Sequence, residues 1–362
     1  MLLHADPLRT LVTSVFTAAG CSADESARIA RYLVDSNLAG HDSHGVIRVT
    51  RYVNFLREGK VFADRKIKTV TENDVLAVVD GDRGFGQTVA PQAVRLGIEK
   101  AKKNGIAVVG LRNSGHLGRI GDWAEMATEA GLVSMHFVNV SGSLWVAPFG
   151  GVERRMGTCP IAIGVPVKNG PPILLDFATA HVAEGKVLVA LGGGKALPPG
   201  CLIEADGTLT NDPKALYGSN EFSKATDYAT GTGALRAMGE HKGSGLALMC
   251  ELLAGALTGN GCTKAGRPSK SAGMLSVYLT VKFFAGNDAF AGEVNRYIDF
   301  FKSAKPAAPG SEVLVPGEPE RIMRKKRLAE GIPLPDDTWQ AIAATARSAG
   351  IGEAKVEGAL RQ

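Results

Sequence analysis

Apolar residues recur at helical spacing through the first sixty positions and then give way to short β-branched runs. Leu8, Leu11, Val12, Val15 and Phe16 form one apolar stripe that stops at Gly20. A first helix is expected there, with Asp6 as its cap and Pro7 at its first position. Ser22 followed by Glu25 is a capping-box pattern; it opens a second helix through Leu33 and Val34 towards Leu38 and Gly40. A third is expected from about residue 44 to residue 56. From Val75 the texture alternates. Strands are expected over 75–79, 106–110, 133–138, 161–167 and 173–175, and helices over 87–103, 119–128 and 246–257. Such alternation predicts an α/β fold. Residues 304–310 read as a Pro/Ala linker, 337–349 as a closing helix, and the polar stretch 218–235 as a loop.

Composition narrows the function classes. The 362 residues suit about two domains, with 45% hydrophobic residues supplying an ample core. Glycine is in excess, 45 residues or about 12% against a usual ~7%, which points to many tight turns and close backbone approaches, as around a cofactor. The net charge of +5 is too weak for a nucleic-acid scaffold and fits a small anionic substrate. The N-terminus lacks a secretory pattern, and no apolar run nears the ~18 residues of a membrane span. Five scattered cysteines without C-x-x-C spacing argue against a disulfide framework or structural zinc and for a reducing cytoplasm.

The dinucleotide fingerprint G-x-G-x-x-G follows no expected strand, and Gly192-Gly193-Gly194 reads as a turn. Histidine placement is more informative. Of seven histidines, five lie among glycines and polar residues: His41 and His44 in GHDSHG, His116 in NSGHLGRIG, His181 in FATAHVAEGK and His241 in GEHKGSG. In a helix from His44, the residues His44, Arg48 and Tyr52 share one face. That row combines a proton carrier near neutral pH with a guanidinium fork suited to a carboxylate. On spacing alone, a helix start with a solvated polar face explains it more simply.

Around Asn113–Asp122, a helix opening at Gly118-Arg119-Ile120 would offer free amides and a cation to a pyrophosphate or carboxylate; a glycine-rich turn serves as well. Asp176 ends an apolar run, where it could orient a histidine or cap the next helix. Lys242, beside His241, could hold phosphate or simply be solvated. No histidine shows metal-ligand spacing, and Cys159 reads as a buried structural thiol.

Taken together, GHDSHGVIRVTRY, RNSGHLGRIGDWAEMA, LLDFATAHVAEGK, GEHKGSGLALMCELLAG and EVLVPGEPE with GIPL occur in order along almost the whole chain. They resemble the type-2 malate/L-lactate dehydrogenase family. The resemblance implies an α/β fold that is not of Rossmann type. It implies a sheet-rich NAD(H)- or NADP(H)-binding domain over 73–304, a helical domain from 1–72 and 305–362, and a homodimer acting on a small carboxylate. It makes His44 the proton-transferring group and His116 a second histidine beside the nicotinamide, with Asp176 joined to them. Ser43, Arg48 and Tyr52 match substrate-side positions. His44, Gly118, Arg119, Ile120, Ser141, Leu174, Leu175, Asp176, Phe177, Ala178, His241, Lys242, Ser276, Gly317, Glu318, Pro319 and Glu320 match cofactor-side positions. The chain departs from the family pattern at Cys159, Ala180 and Ser276.

The expected activity is therefore interconversion of a 2-oxo and a 2-hydroxy acid. His44, oriented by Asp176, would move the proton while Arg48 holds the carboxylate. Reduction of a cyclic imino acid such as piperideine-2-carboxylate is the neighbouring alternative. A metal-dependent hydrolase or a non-catalytic binder is the alternative from another class.

Overall fold

The chain opens with strand β1 (Leu2–Leu3) and helices α1 (Ala5–Ala18) and α2 (Ala23–Leu38). The stripe expected on α1 is its buried face, but the cap is His4, and the Asp6 carboxylate pairs with Arg9 at 2.7 Å instead. Ser22 does cap α2, its Oγ accepting from the Glu25 N–H at 3.2 Å. Glu25 makes no reciprocal bond to Ser22. Its buried carboxylate accepts from the Asp64 N–H (2.7 Å) and the Thr88 hydroxyl (2.6 Å), so a local signal became a tertiary tie. Two 3₁₀ turns, Asp42–His44 and Val46–Arg48, precede helix α3 (Val49–Arg57).

Next come β2 (Lys68–Glu72), β3 (Leu76–Asp80), α4 (Gly86–Asn104), β4 (Ile106–Ser114), α5 (Gly121–Glu129) and β5 (Leu132–Ser141). Then follow β6 (Pro160–Val165), β7 (Ile173–Ala178), α6 (Glu184–Leu191), β8 (Leu202–Ile203), β9 (Leu209–Thr210), α7 (Lys214–Tyr217) and β10 (Ala234–Leu235). Helix α8 (His241–Cys250) continues into a π-helical stretch, Glu251–Leu257, and β11 (Ser271–Thr280) and α9 (Asn287–Lys302) come later in the chain. The chain closes with α10 (Glu318–Glu330), β12 (Ile332–Pro333), α11 (Asp336–Ser348) and α12 (Glu353–Gly358). This computed structural model describes residues 1–191, 195–218, 230–266 and 271–360. The expected turn at Gly192–Gly194 lies outside them, as do residues 219–229 of the expected loop, whose last two residues form β10.

Seven strands make the main sheet, in the order β2-β3-β4-β11-β5-β6-β7. Only β3 and β4 are parallel; every other neighbour pair is antiparallel. That is not a doubly wound dinucleotide-binding sheet, which accounts for the missing fingerprint. The central strand, β11, has no counterpart among the sequence expectations, and neither do α9 and α10. Helix α10 is largely charged and buries only Arg327, so it offers little apolar stripe to read. Helix α9 carries one (Phe290, Val294, Ile298 and Phe301) that the sequence reading passed over, although this chain buries only Ala291 of that helix.

Both chain ends share one core. Leu3, Phe16 and Val53 pack with Ile332, Trp339 and Ile342, and β1 pairs with β12. A second core lies between the sheet and α4 and α5, around Trp123 and Tyr278, and a third around Leu202, Leu216 and Cys250. Among the described residues no helix is long and apolar enough to cross a membrane.

Candidate active site

The GHDSHG segment is not the start of a helix. Gly45 interrupts it with extended backbone between the two 3₁₀ turns. A Cβ there would fall 2.2 Å from the Asn37 side chain. That closeness is used: Asn37 Oδ1 accepts from the Val46 N–H (2.8 Å), and its Nδ2 donates to Asp42 (2.7 Å). From α10, Arg327 grips the Asp42 carboxylate through both terminal nitrogens (2.6 and 3.0 Å), and Glu320 meets His41 Nε2 at 3.3 Å. A helix near the end of the chain thus straps the histidine loop, a role no local spacing announces.

Strapped this way, the loop sets His44 parallel to His116, with ring centroids 5.6 Å apart and planes 7° from parallel. Ser43 Oγ lies 3.1 Å from His44 Nδ1, and the Tyr52 hydroxyl lies 2.6 Å from His116 Nδ1. Arg48 donates from Nε to the Ser43 carbonyl (2.6 Å) and faces Glu184 at 3.7 Å. Glu184 in turn accepts from the Tyr217 hydroxyl at 2.5 Å. All these groups except Tyr217 line one cavity of about 1130 Å³, along with Ile120, Asp176, Phe177, Ala178, Pro319 and Glu320. Burial, then the nearby charges of Arg48, His41, Arg119 and Lys186, hold His44 well below the usual histidine range. It is a neutral imidazole at neutral pH.

Several expected site residues take other partners or stand off the cavity. Asp176 does not orient His44. Its Oδ2 accepts from the Gly121 N–H at 2.8 Å, so the protein's own carboxylate takes an amide at the start of α5. The positive end of a helix attracts any nearby anion, and Asp176 is already there. Arg119 is buried at 4% exposure and away from the cavity wall. It bonds Asp122 at 2.8 Å and faces Asp176 at 3.9 Å. Burial pushes Asp122 up to about 6 even so. Arg119→Met is expected to cost about 3–5 kcal/mol of stability, the usual result of stripping one partner from a buried ion pair. Urea unfolding would show it, and a loss below 1 kcal/mol would mean the pair is solvated.

Ser141 and Ser276 are core residues as well. Ser141 bonds the Ser271 carbonyl (3.0 Å) and Ser276 the ring of His136 (2.8 Å). His241 and Lys242 are exposed in the first turn of α8 and do not line the cavity. Gly118, Leu174, Leu175, Gly317 and Glu318 also stand off its wall, although Leu174 bonds the Pro316 carbonyl (3.1 Å) and so brings β7 to the turn that carries Pro319 and Glu320. The sequence reading passed over Asn37, Glu184 and Arg327. Glu184 stood inside the AHVAEGK motif; the others carry no local signal. Among the described residues no cluster of three or more His, Cys, Asp or Glu is arranged to hold a metal ion.

Comparison with known proteins agrees with this architecture. The family model for malate/L-lactate dehydrogenase matches residues 3–343. Hydroxycarboxylate dehydrogenase B of Escherichia coli K12 is 39% identical, over 99% of this chain and 97% of its own. The solved structure of sulfolactate dehydrogenase from Methanocaldococcus jannaschii superposes with a TM-score of 0.83 at 32% identity, covering 100% of both chains. That of delta1-piperideine-2-carboxylate reductase from Pseudomonas syringae pvar. tomato gives 0.78 at 26% identity, over 95% of this chain and 99% of the other. With the family model matched over nearly its whole length and a sheet order that is not Rossmann, this chain belongs to the malate/L-lactate dehydrogenase family.

Proposed function

We propose that the protein is an NAD(H)- or NADP(H)-dependent oxidoreductase that interconverts a 2-hydroxy acid and a 2-oxo acid, with His44 moving the proton. The observation that carries this reading is a neutral His44 stacked on His116, with Arg48 on the same cavity wall. The residues present suit a dinucleotide with its substrate. The cavity, about 1130 Å³, exceeds the ~300–1,000 Å³ usual for one small ligand. When bound, the nicotinamide supplies the hydride chemistry. Ile120, Asp176, Phe177, Ala178, Pro319 and Glu320 are the cofactor-side residues in this reading, because they line the cavity.

His44 Nδ1 faces Ser43, which leaves Nε2 to accept the hydroxyl proton of a 2-hydroxy acid as its carbon is oxidised. In reverse, the same nitrogen returns the proton to the carbonyl oxygen. Being unprotonated at rest suits His44 to start in the oxidation direction. Arg48, positioned by the Ser43 carbonyl and Glu184, holds the substrate carboxylate through its terminal nitrogens.

Arg48→Met tests the clamp. KM for the acid should rise about 10- to 100-fold, the worth of a hydrogen bond to a charged group, with cofactor affinity little changed. Removing the Arg48 charge also favours protonated His44, so the acid limb of kcat/KM should move to higher pH. An unchanged KM would remove Arg48 from the substrate site. Assays of NADH and NADPH oxidation, with 2-oxo acids and cyclic imino acids side by side, separate the cofactors and decide between the carbonyl and imine readings. A homodimer belongs to this reading too, supported by the exposed apolar residues Leu248, Met249 and Leu252 on one helix and Phe283, Phe284 and Phe300 around α9.

A further inference from the structure

We infer that Gln87, which stands behind the cavity wall, is a positioning residue: acting through Tyr52, it fixes His116 as the tautomer protonated at Nε2. Gln87 and Tyr52 are 1% and 3% exposed. Gln87 Nε2 lies 3.2 Å from the Tyr52 oxygen, and that oxygen lies 2.6 Å from His116 Nδ1.

The chain of three has one favoured direction. With the Gln87 amide N–H donating to the phenol oxygen, His116 Nδ1 is the acceptor that keeps the buried Tyr52 O–H paired, so the phenol donates onward to it. The short step agrees, because 2.6 Å is ordinary for an O–H donor and tighter than N–H donors usually reach. Turning the Gln87 amide over would reverse the chain, but Gln87 Oε1 has no partner where it now lies. The turned amide would bury two N–H donors there without acceptors, which costs more than one carbonyl oxygen without a donor. The amide is also held closely, since a Cβ on Gly118, at φ +69°, would come within 2.9 Å of Nε2.

His116 with its proton on Nε2 is a fixed hydrogen-bond donor on the cavity wall, parallel to the neutral His44. The two imidazoles then have different tasks: His44 exchanges a proton, while His116 donates a hydrogen bond without losing its own. What His116 donates to rests on the oxidoreductase reading, the 2-oxo acid's carbonyl oxygen being the group that needs a donor. Its tautomer does not rest on that reading.

The test is a long-range ¹H–¹⁵N spectrum of the ¹⁵N-histidine-labelled protein without cofactor at pH 8, with the His116 signals identified by their loss in His116→Asn. The wild type should show the Nε2–H pattern alone. Gln87→Met, which keeps volume but removes the donor, and Tyr52→Phe, which removes the relay, should each give a mixture of both tautomers. Nδ1–H in the wild type, or a pure Nε2–H pattern in both variants, would overturn the inference. Because the spectra need neither cofactor nor substrate, an enzyme that turns over no 2-oxo acid would overturn the oxidoreductase reading and leave the tautomer result standing.

Discussion

His44→Ala should lower turnover about 10²- to 10⁴-fold in both directions, the usual contribution of a positioned acid–base group. Dinucleotide affinity should change little. His44 lies on a segment tied down elsewhere, by Asn37 through Asp42 and Val46, and by Arg327 through Asp42. Truncating the imidazole leaves those ties intact, so the loop should keep its path and Arg48 its bond to the Ser43 carbonyl. KM for the acid should accordingly hold within a few-fold while kcat falls. Steady-state kinetics in both directions, with cofactor binding followed by nicotinamide fluorescence, would check the outcome. Near-normal kcat would show that another group moves the proton. An equal loss of cofactor binding would show that His44 acts by shaping the cavity.

Acid should destabilise the protein through His136, which does not line the cavity. This histidine is fully buried in β5, directly across from Ser276 in β11, and its ring nitrogens meet the hydroxyls of Ser276 (2.8 Å) and Ser134 (3.0 Å). Burial lowers it to about 3. Its value in the unfolded chain is near 6.5. The unfolded state therefore binds a proton that the folded state refuses between those limits, and stability falls as pH drops from about 6.5 towards 3. The slope is about 1.4 kcal/mol per pH unit. His136→Gln offers the two hydroxyls an amide that does not titrate. From pH 6.5 to 4.5 the wild type should lose about 2–3 kcal/mol more than this variant in urea unfolding. Parallel losses in the two proteins would show that His136 is protonated in the native sheet.

These two histidines mark how far the sequence could be read. His44 and His116 sit in glycine-flanked motifs, a local setting that singled both out in the sequence, and the fold brings them together on one cavity wall. His136 and Ser276 have no such setting. They are ten-residue-strand positions whose meaning comes from lying opposite each other across the sheet, 140 residues apart in the chain. Ser276 consequently looked like a cofactor-side residue by resemblance, although its hydroxyl is spent inside the core. Asp176 and Arg119 are similar cases. Each carries the right chemistry for its expected task, yet one Asp176 oxygen takes the Gly121 amide and Arg119 pairs with Asp122, partners that the fold brings up first.

The sequence by itself determined the elements whose periodicity is strong, namely the apolar stripes of α1, α2 and α4 and the β-branched runs of β3 to β6, along with the order of motifs that marks the family. Those features depend on neighbours a few residues away, and hydrophobic burial acts on each of them in the same direction. Tertiary structure alone decided that β11 would be the central strand, that α10 would strap the histidine loop, and which polar groups would be left for a ligand. A carboxylate, guanidinium or amide losing its water takes whichever partner packing brings within 3 Å, because leaving it unpaired costs more than any local preference repays. That partner lies 55 residues away for Asp176 and 285 for Asp42, beyond the reach of spacing along the chain.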